Sequence, residues 1–178
     1  MGSLAKLDLR KELSRVKYRY LLAVPALVIA VDQWTKHLVL QRFRLGESLS
    51  LLPPIFSLTY IRNQGAAFGF LQGAPSVFRE PFFIITPVVA FFVILIVYFR
   101  LKDSQRWTAL ALSLILGGAV GNLIDRIRFG YVVDFLDFHW KGVWHYPAFN
   151  VADSCIVVGV GIVLLLSFRP EDGTPSGG

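Results

Sequence analysis

Four long apolar runs constrain this chain more than any other feature. They cover about Tyr20–Leu40, Phe82–Phe99, Trp107–Ile127 and Asn150–Phe168, each about 18–21 residues, the length an α-helix needs to cross the hydrocarbon core of a bilayer. The other spanning architecture, a closed β-barrel, would alternate apolar and polar residues in short strands, whereas these runs are apolar throughout. With 54% hydrophobic and 17% charged residues in 178 positions and a mean hydropathy of +0.57, the chain has too little polar surface to cover a soluble core. The expected fold class is therefore an all-α membrane bundle of four transmembrane helices over residues 20–168. A basic cytoplasmic N-terminal segment, 1–19, precedes it, and a polar, disordered cytoplasmic tail, 169–178, follows.

Basic residues set the orientation. Lys6, Arg10, Lys11, Arg15, Lys17 and Arg19 precede the first run, Arg100, Lys102 and Arg106 lie between the second and third, and Arg169 follows the fourth. The other side carries Arg42, Arg44, Arg62, Arg79, Arg128 and Lys141 in much longer loops, so the positive-inside rule assigns both termini to the cytoplasm. The net charge of +6 flanks apolar segments instead of forming a basic groove, which argues against nucleic acid as a partner. The N-terminus has no small-residue cleavage site after an apolar core, so no removable signal peptide is expected.

The outer loops are then 41–81 and 128–149. The first, with "SLSLLPPIFSLTYIRNQGAAFGFL", mixes β-branched, aromatic and turn-forming residues, and a small extracytoplasmic β-structure is expected there. "GAPSVFREPFF" reads as a short interfacial helix leading into the second run.

Polar groups inside apolar runs need partners or a cavity. Asp32 and Lys36 have the favourable i,i+4 order of a helical ion pair, which suits a structural pair and a role in a site equally. In "GGAVGNLIDRIRFG", Gly117 and Gly121 allow a close helix approach, while Asn122 and Arg126 share a helical face with Asp125 alongside. Asp134 lies just past the outer end of the third run. Asp153 lies in the first turn of the fourth, with Asn150 as a candidate N-cap. Capping alone would account for Asp153, but not for Asp134 at the same depth.

Two neighbouring carboxyls share a proton, so one can activate water while the other polarises a carbonyl. The helix N-terminus favours charge on Asp153, leaving Asp134 to hold the proton. Asp137 is a spare acid, expected to be solvated. His37, His139 and His145 form no metal-ligand motif, Cys155 has no neighbouring base in sequence, and neither a metal nor a cofactor is expected. A transporter would spread its acids across the membrane, and a non-catalytic assembly factor would have no use for two acids at one depth.

The ordered motifs "DQWTK" (32–36), "NQGAAFG" (63–69), "GNLIDR" (121–126), "VVDF" (132–135) and "FNVADS" (149–154) resemble the lipoprotein signal peptidase, or type II signal peptidase, family over about residues 18–168. The resemblance implies an aspartic endopeptidase of the bacterial inner membrane, acting near its outer face. It implies prolipoprotein substrates bearing a diacylglyceryl cysteine, cut on the N-terminal side of that cysteine, with membrane lipid as the other partner. It also implies Asp134 and Asp153 as the catalytic pair, with Asn63, Gly65, Asn122, Arg126 and Asn150 lining or supporting the site and Asp32 and Lys36 matching the first-span motif. A monomer is expected.

Overall fold

The computed structural model describes residues 2–65, 75–140 and 143–168. Its elements run α1 (Gly2–Arg42), β1 (Ser48–Leu52), β2 (Phe56–Asn63), α2 (Ser76–Arg100), α3 (Arg106–Phe129), β3 (Val132–Trp140), β4 (Trp144–His145) and α4 (Val151–Ser167). The basic segment expected to stand apart from the first apolar run is instead continuous with it in α1. Likewise, the stretch read as a separate interfacial helix forms, from Ser76 onward, the first turns of α2. Pro81 falls inside those turns, where it withholds one intrahelical donor. Arg169 and the tail lie outside the described residues, as do Gly69 and Lys141.

α3 packs against α1, α2 and α4 and is the centre of the bundle. Small residues make its close crossings possible. A methyl group on Gly117 would meet Pro25 and Val28 of α1, and one on Gly118 would meet the Ala152 carbonyl oxygen and Ile156 of α4. The Gly117/Gly121 pair thus faces α1. One end of the bundle closes around buried Tyr98, Ala109 and Leu112, where Tyr98 Oη donates to the Lys17 carbonyl at 2.6 Å and Lys17 Nζ donates to the Leu101 carbonyl at 2.8 Å. α2 and α3 are long and apolar enough to cross a membrane, and α4 is a shorter apolar helix. α2 leaves Ile85, Val89, Phe92, Val93 and Ile96 exposed, an apolar face that fits lipid and not water.

At the other end, Gly130 ends α3 with φ of 75° and its N–H on the Arg126 carbonyl at 3.0 Å, a left-handed turn that glycine makes without strain. The chain reverses there into β3, in the loop where no strand was expected. The sheet is antiparallel with order β1-β2-β3-β4. Val133 and Phe135 of β3 and Tyr60 of β2 pack on Val39 of α1, seating one sheet face on the end of the bundle.

The Gly118 crossing yields a stability prediction. Gly118→Ala should lower stability by about 1–3 kcal/mol, the usual range for overpacking, because a backbone carbonyl cannot move aside. Gly161→Ala, with open space around the added methyl, should change stability little. Thermal unfolding of both variants in detergent checks this, and equal midpoints would contradict the packing account.

Candidate active site

The site is organised around a buried lysine. Lys36, 2% exposed, contacts Asp32 Oδ2 at 2.8 Å, Asp125 Oδ2 at 3.0 Å and Asn122 Oδ1 at 3.0 Å. An ammonium group has three N–H donors, and here each has an acceptor. Removing one member of such a buried cluster typically costs ~3–5 kcal/mol, because the remaining charges lose their compensation. The acids also act beyond the ion pair. Asp32 Oδ1 accepts the Ala152 N–H at 3.0 Å, satisfying a donor left free in the first turn of α4. Asp125 Oδ2 accepts the Val133 N–H at 3.0 Å, pinning the start of β3. Gln33 Nε2 donates to Asp125 Oδ1 at 2.9 Å and to the Gly121 carbonyl at 3.2 Å. Gly121 leaves room for the Asp32 carboxylate, since a methyl there would lie 2.7 Å from Asp32 Oδ2.

Asparagines carry this order to Asp134 and Asp153. Because Lys36 occupies Asn122 Oδ1, the Asn122 amide turns its Nδ2 outward, and that group donates to Asp153 Oδ1 at 2.7 Å. Asn150 caps α4: its Oδ1 accepts the Asp153 N–H at 2.9 Å while Asp153 Oδ2 accepts the Asn150 N–H at 3.3 Å, the reciprocal capping box. Asn150 Nδ2 then donates to Asp134 Oδ1 at 2.7 Å. Asn63 supplies the other Asp134 oxygen, donating from Nδ2 at 2.9 Å, and its own Oδ1 accepts the Gly65 N–H at 3.0 Å. Asn150 therefore touches both acids, the Asp134 carboxyl through its side chain and the Asp153 carboxyl through its backbone N–H.

Asn63 reaches Asp134 because of an irregularity in β2. Leu58 pairs with Leu136, but Ile61 pairs with Asp134, so β2 spends one residue more than β3 between those pairs. Such a bulge exchanges the faces of every residue beyond it. Asn63 consequently shares the Asp134 face, while Tyr60 and Arg62 turn to the other.

Asp134 is 1% exposed. Burial pushes its carboxyl up from the ordinary carboxylate range to about 7, and the Asp153 charge adds to the rise, while the Asn63 and Asn150 amides oppose it. Asp134 therefore exchanges its proton near neutrality, far above an ordinary carboxylate.

Two cavities open beside Asp153. One, of about 230 Å³, is lined by Asn63, Gly65, Arg126, Asp153 and the Tyr146–Phe149 segment. The other, of about 450 Å³, is lined by Phe138, Trp144, Tyr146, Phe149, Ser154, Val157 and Val158 as well as Asp153. Arg126 Nη1 donates to the Asn122 carbonyl at 3.3 Å, and its guanidinium lies 5.7 Å from the Phe83 ring centre. Among the described residues no group of three or more His, Cys, Asp or Glu side chains could hold a metal ion.

The structure brings together the candidate site residues: Asp32, Lys36, Asn122 and Asp125 in the ionic cluster, Asn63, Gly65, Arg126 and Asp153 lining the smaller cavity, and buried Asp134 and Asn150 behind them. Sequence reasoning missed Gln33, although it sits inside "DQWTK", because a glutamine on a helix is ordinarily a solvent-facing residue. It also missed the aromatic lining from Trp144, Tyr146 and Phe149. Asp137 is not solvated: it is buried on the opposite face of β3, accepting from Thr59 Oγ1 at 2.9 Å with His145 Nδ1 3.3 Å away.

Comparison with known proteins agrees with this geometry. The family model described as signal peptidase (SPase) II matches residues 24–169. The lipoprotein signal peptidase of Syntrophotalea carbinolica is 52% identical over 153 residues, covering 86% of this chain and 93% of the relative. That of Geobacter metallireducens is 50% identical over 154 residues, with the same coverage. A solved bacterial membrane enzyme structure superposes with a TM-score of 0.74 at 31% identity, covering 89% of this chain and 93% of its own.

The raised Asp134 value has a consequence for stability. A carboxyl whose proton is held more tightly folded than unfolded stabilises the fold at low pH and loses that contribution as pH rises through about 7. Asp134→Asn keeps the neutral shape at every pH, so its stability relative to wild type should grow as pH increases from about 5 to 8. Paired thermal midpoints across that window measure it. A difference that stays flat would mean that Asp134 is ionised throughout.

Proposed function

The chain belongs to the signal peptidase II family, and from that membership and the joined acid pair we propose that it is a membrane aspartic endopeptidase that removes the signal peptide from prolipoproteins. Its substrate carries a diacylglyceryl-modified cysteine and is cut on the N-terminal side of that residue. All four helices span the bacterial inner membrane with both termini in the cytoplasm, and the acid pair lies near the outer face. The enzyme works as a monomer, without metal or cofactor.

The observation that carries this reading is that one residue, Asn150, binds both acids from different elements: its Nδ2 donates to the Asp134 carboxyl and its backbone N–H to the Asp153 carboxyl. Asp134, buried and protonated near neutrality, donates its proton toward the carbonyl oxygen of the scissile bond. Asp153 sits at the N-terminus of α4, where the helix dipole favours a negative charge. It takes a proton from the attacking water. The hydroxide adds to the polarised carbonyl; as the tetrahedral intermediate collapses, the proton on Asp153 passes to the leaving nitrogen and the proton on the former carbonyl oxygen returns to Asp134. The asparagines fix both carboxyls without adding a countercharge, so one proton stays shared between them.

The cavities suit a lipid-anchored peptide. The larger, aromatic one receives apolar parts of the substrate. The smaller gives the extended backbone access to Asn63 and Gly65, whose polar groups lie at the end of β2 where a substrate segment can align along the sheet.

Asp134→Asn and Asp153→Asn should each reduce cleavage of a diacylglyceryl-modified peptide by at least ~1000-fold, since a lone acid cannot act as both proton donor and base. Both variants should remain folded and inserted. Turnover by purified variants, alongside their melting midpoints, decides the assignment. Retained activity in either variant would remove that acid from the mechanism.

Cleavage should also be unchanged in excess EDTA, with no gain on adding zinc, because two carboxyls suffice to activate water. Inhibition by the chelator with recovery on adding metal would instead point to metal-dependent hydrolysis.

A further inference from the structure

Where α3 meets the sheet, four side chains stack in a row that the cleavage chemistry does not use. The Arg128 guanidinium lies 5.0 Å from the Phe129 ring centre. Phe129 stacks on Tyr131 with ring centres 5.7 Å apart and planes inclined by 23°. The Arg62 guanidinium lies 4.7 Å from the Tyr131 ring centre. A second tie holds Arg62 in place, since its Nε donates to Tyr60 Oη at 3.0 Å.

Both arginines are exposed, and among the described residues neither forms an ion pair. The nearby acids are committed elsewhere. Glu47 accepts the Arg44 N–H at 2.7 Å, and Asp125 is engaged by Lys36 and the Val133 N–H. Stacking against ring faces holds each guanidinium while leaving N–H donors at its edge, the arrangement that suits an anionic oxygen group.

Under the topology proposed above, on which this inference rests, the row lies at the outer membrane surface. Basic residues are least expected on that side, while aromatic rings at that depth are usual. Ile127, 67% exposed, extends apolar surface from the row toward the bilayer. We propose that Arg62, Tyr131, Phe129 and Arg128 form a binding site for the phosphate headgroup of an anionic phospholipid in the outer leaflet. Two uncompensated cations favour a headgroup with net negative charge over a zwitterionic one, which brings its own cation. The acyl chains lie along the apolar surface beside Ile127. The site is separate from the acid pair, because the bulge in β2 puts Asn63 on the Asp134 face of the sheet and Arg62 on the other.

The test uses the full chain in nanodiscs of phosphatidylcholine, with and without about one-third phosphatidylglycerol. Phosphatidylglycerol should raise the wild-type melting midpoint by about 3 °C or more, a shift that ligand binding readily produces in a chain of this size. In Arg62→Gln/Arg128→Gln the rise should vanish, whereas the control Arg42→Gln/Arg44→Gln, which removes equal charge from the same side, should keep it. Inorganic phosphate in phosphatidylcholine discs should not reproduce it. The proposal is overturned if the wild type shows no rise, if Arg62→Gln/Arg128→Gln retains it, if the control loses it equally, or if free phosphate gives the same shift. In phosphatidylcholine alone, Arg62→Gln/Arg128→Gln should cleave lipidated peptide at the wild-type rate. A loss there would assign the arginines to substrate and also overturn the proposal, while failure of the cleavage reading itself would appear in wild type.

Discussion

The buried ammonium of Lys36 is the constraint on which the rest of the structure depends. A cation without water needs its charge balanced and all its donors accepted, and Lys36 achieves this only where α1 and α3 lie side by side. Asp32 comes from its own helix, and Asn122 and Asp125 come from α3. Asp32 Oδ1 then holds a backbone N–H of α4, and Asp125 Oδ2, while still on the ammonium, holds one of β3. One charge therefore fixes the relation of two helices, the first turn of a third and the first residues of a strand. An apolar core could join the helices as tightly, but dispersion has little directionality. Hydrogen bonds to a saturated ionic cluster specify a rotation and a depth.

That specificity reaches the acid pair through neutral groups. Asn122 has one end on Lys36 and the other on Asp153, so its orientation follows from the ion cluster. An arginine or lysine in the same place would bind the carboxylate more strongly but would also stabilise its charge. Amides hold the carboxyls in position while burial raises the proton affinity of Asp134. The arrangement separates two tasks that a salt bridge would merge, positioning an acid and choosing its charge state.

Much of this could be read from residue order. The four apolar runs fall on four helices, of which α2 and α3 are long and apolar enough to cross a membrane, and Asn150 with Asp153 at the third helical position forms the capping box that the spacing suggested. β3 escaped because "VVDFLDFHW" does not alternate in polarity. Both of its faces are covered near its start, one by the end of α1 and the other by the asparagines, so polar and apolar residues are buried together. Asp137 was misread for the same reason: its isolation in sequence suggested solvent, while the sheet supplies Thr59 and His145 from other strands. Gln33 acquires meaning only when Asp125 and Gly121 arrive opposite it. Pairings across β-strands are long-range facts, and a helical period cannot announce them.

The bulge in β2 joins the two halves of the structure. Before it, Phe56 and Leu58 share a face with Phe138 and Leu136; after it, Ile61 and Asn63 take over that face. A regular strand would instead turn Tyr60 and Arg62 toward Asp134, setting a phenol and a guanidinium against a buried carboxyl. The guanidinium would draw the proton off Asp134, and the Asn63 amide that holds the carboxyl in position would point away. With the extra residue in place, Tyr60 is free to pack on Val39 and Val133, which seats the sheet on the bundle. Arg62 reaches the aromatic row on the same side. A single inserted residue thus keeps the Arg62 guanidinium apart from Asp134, and the raised proton affinity of that buried carboxyl depends on the separation.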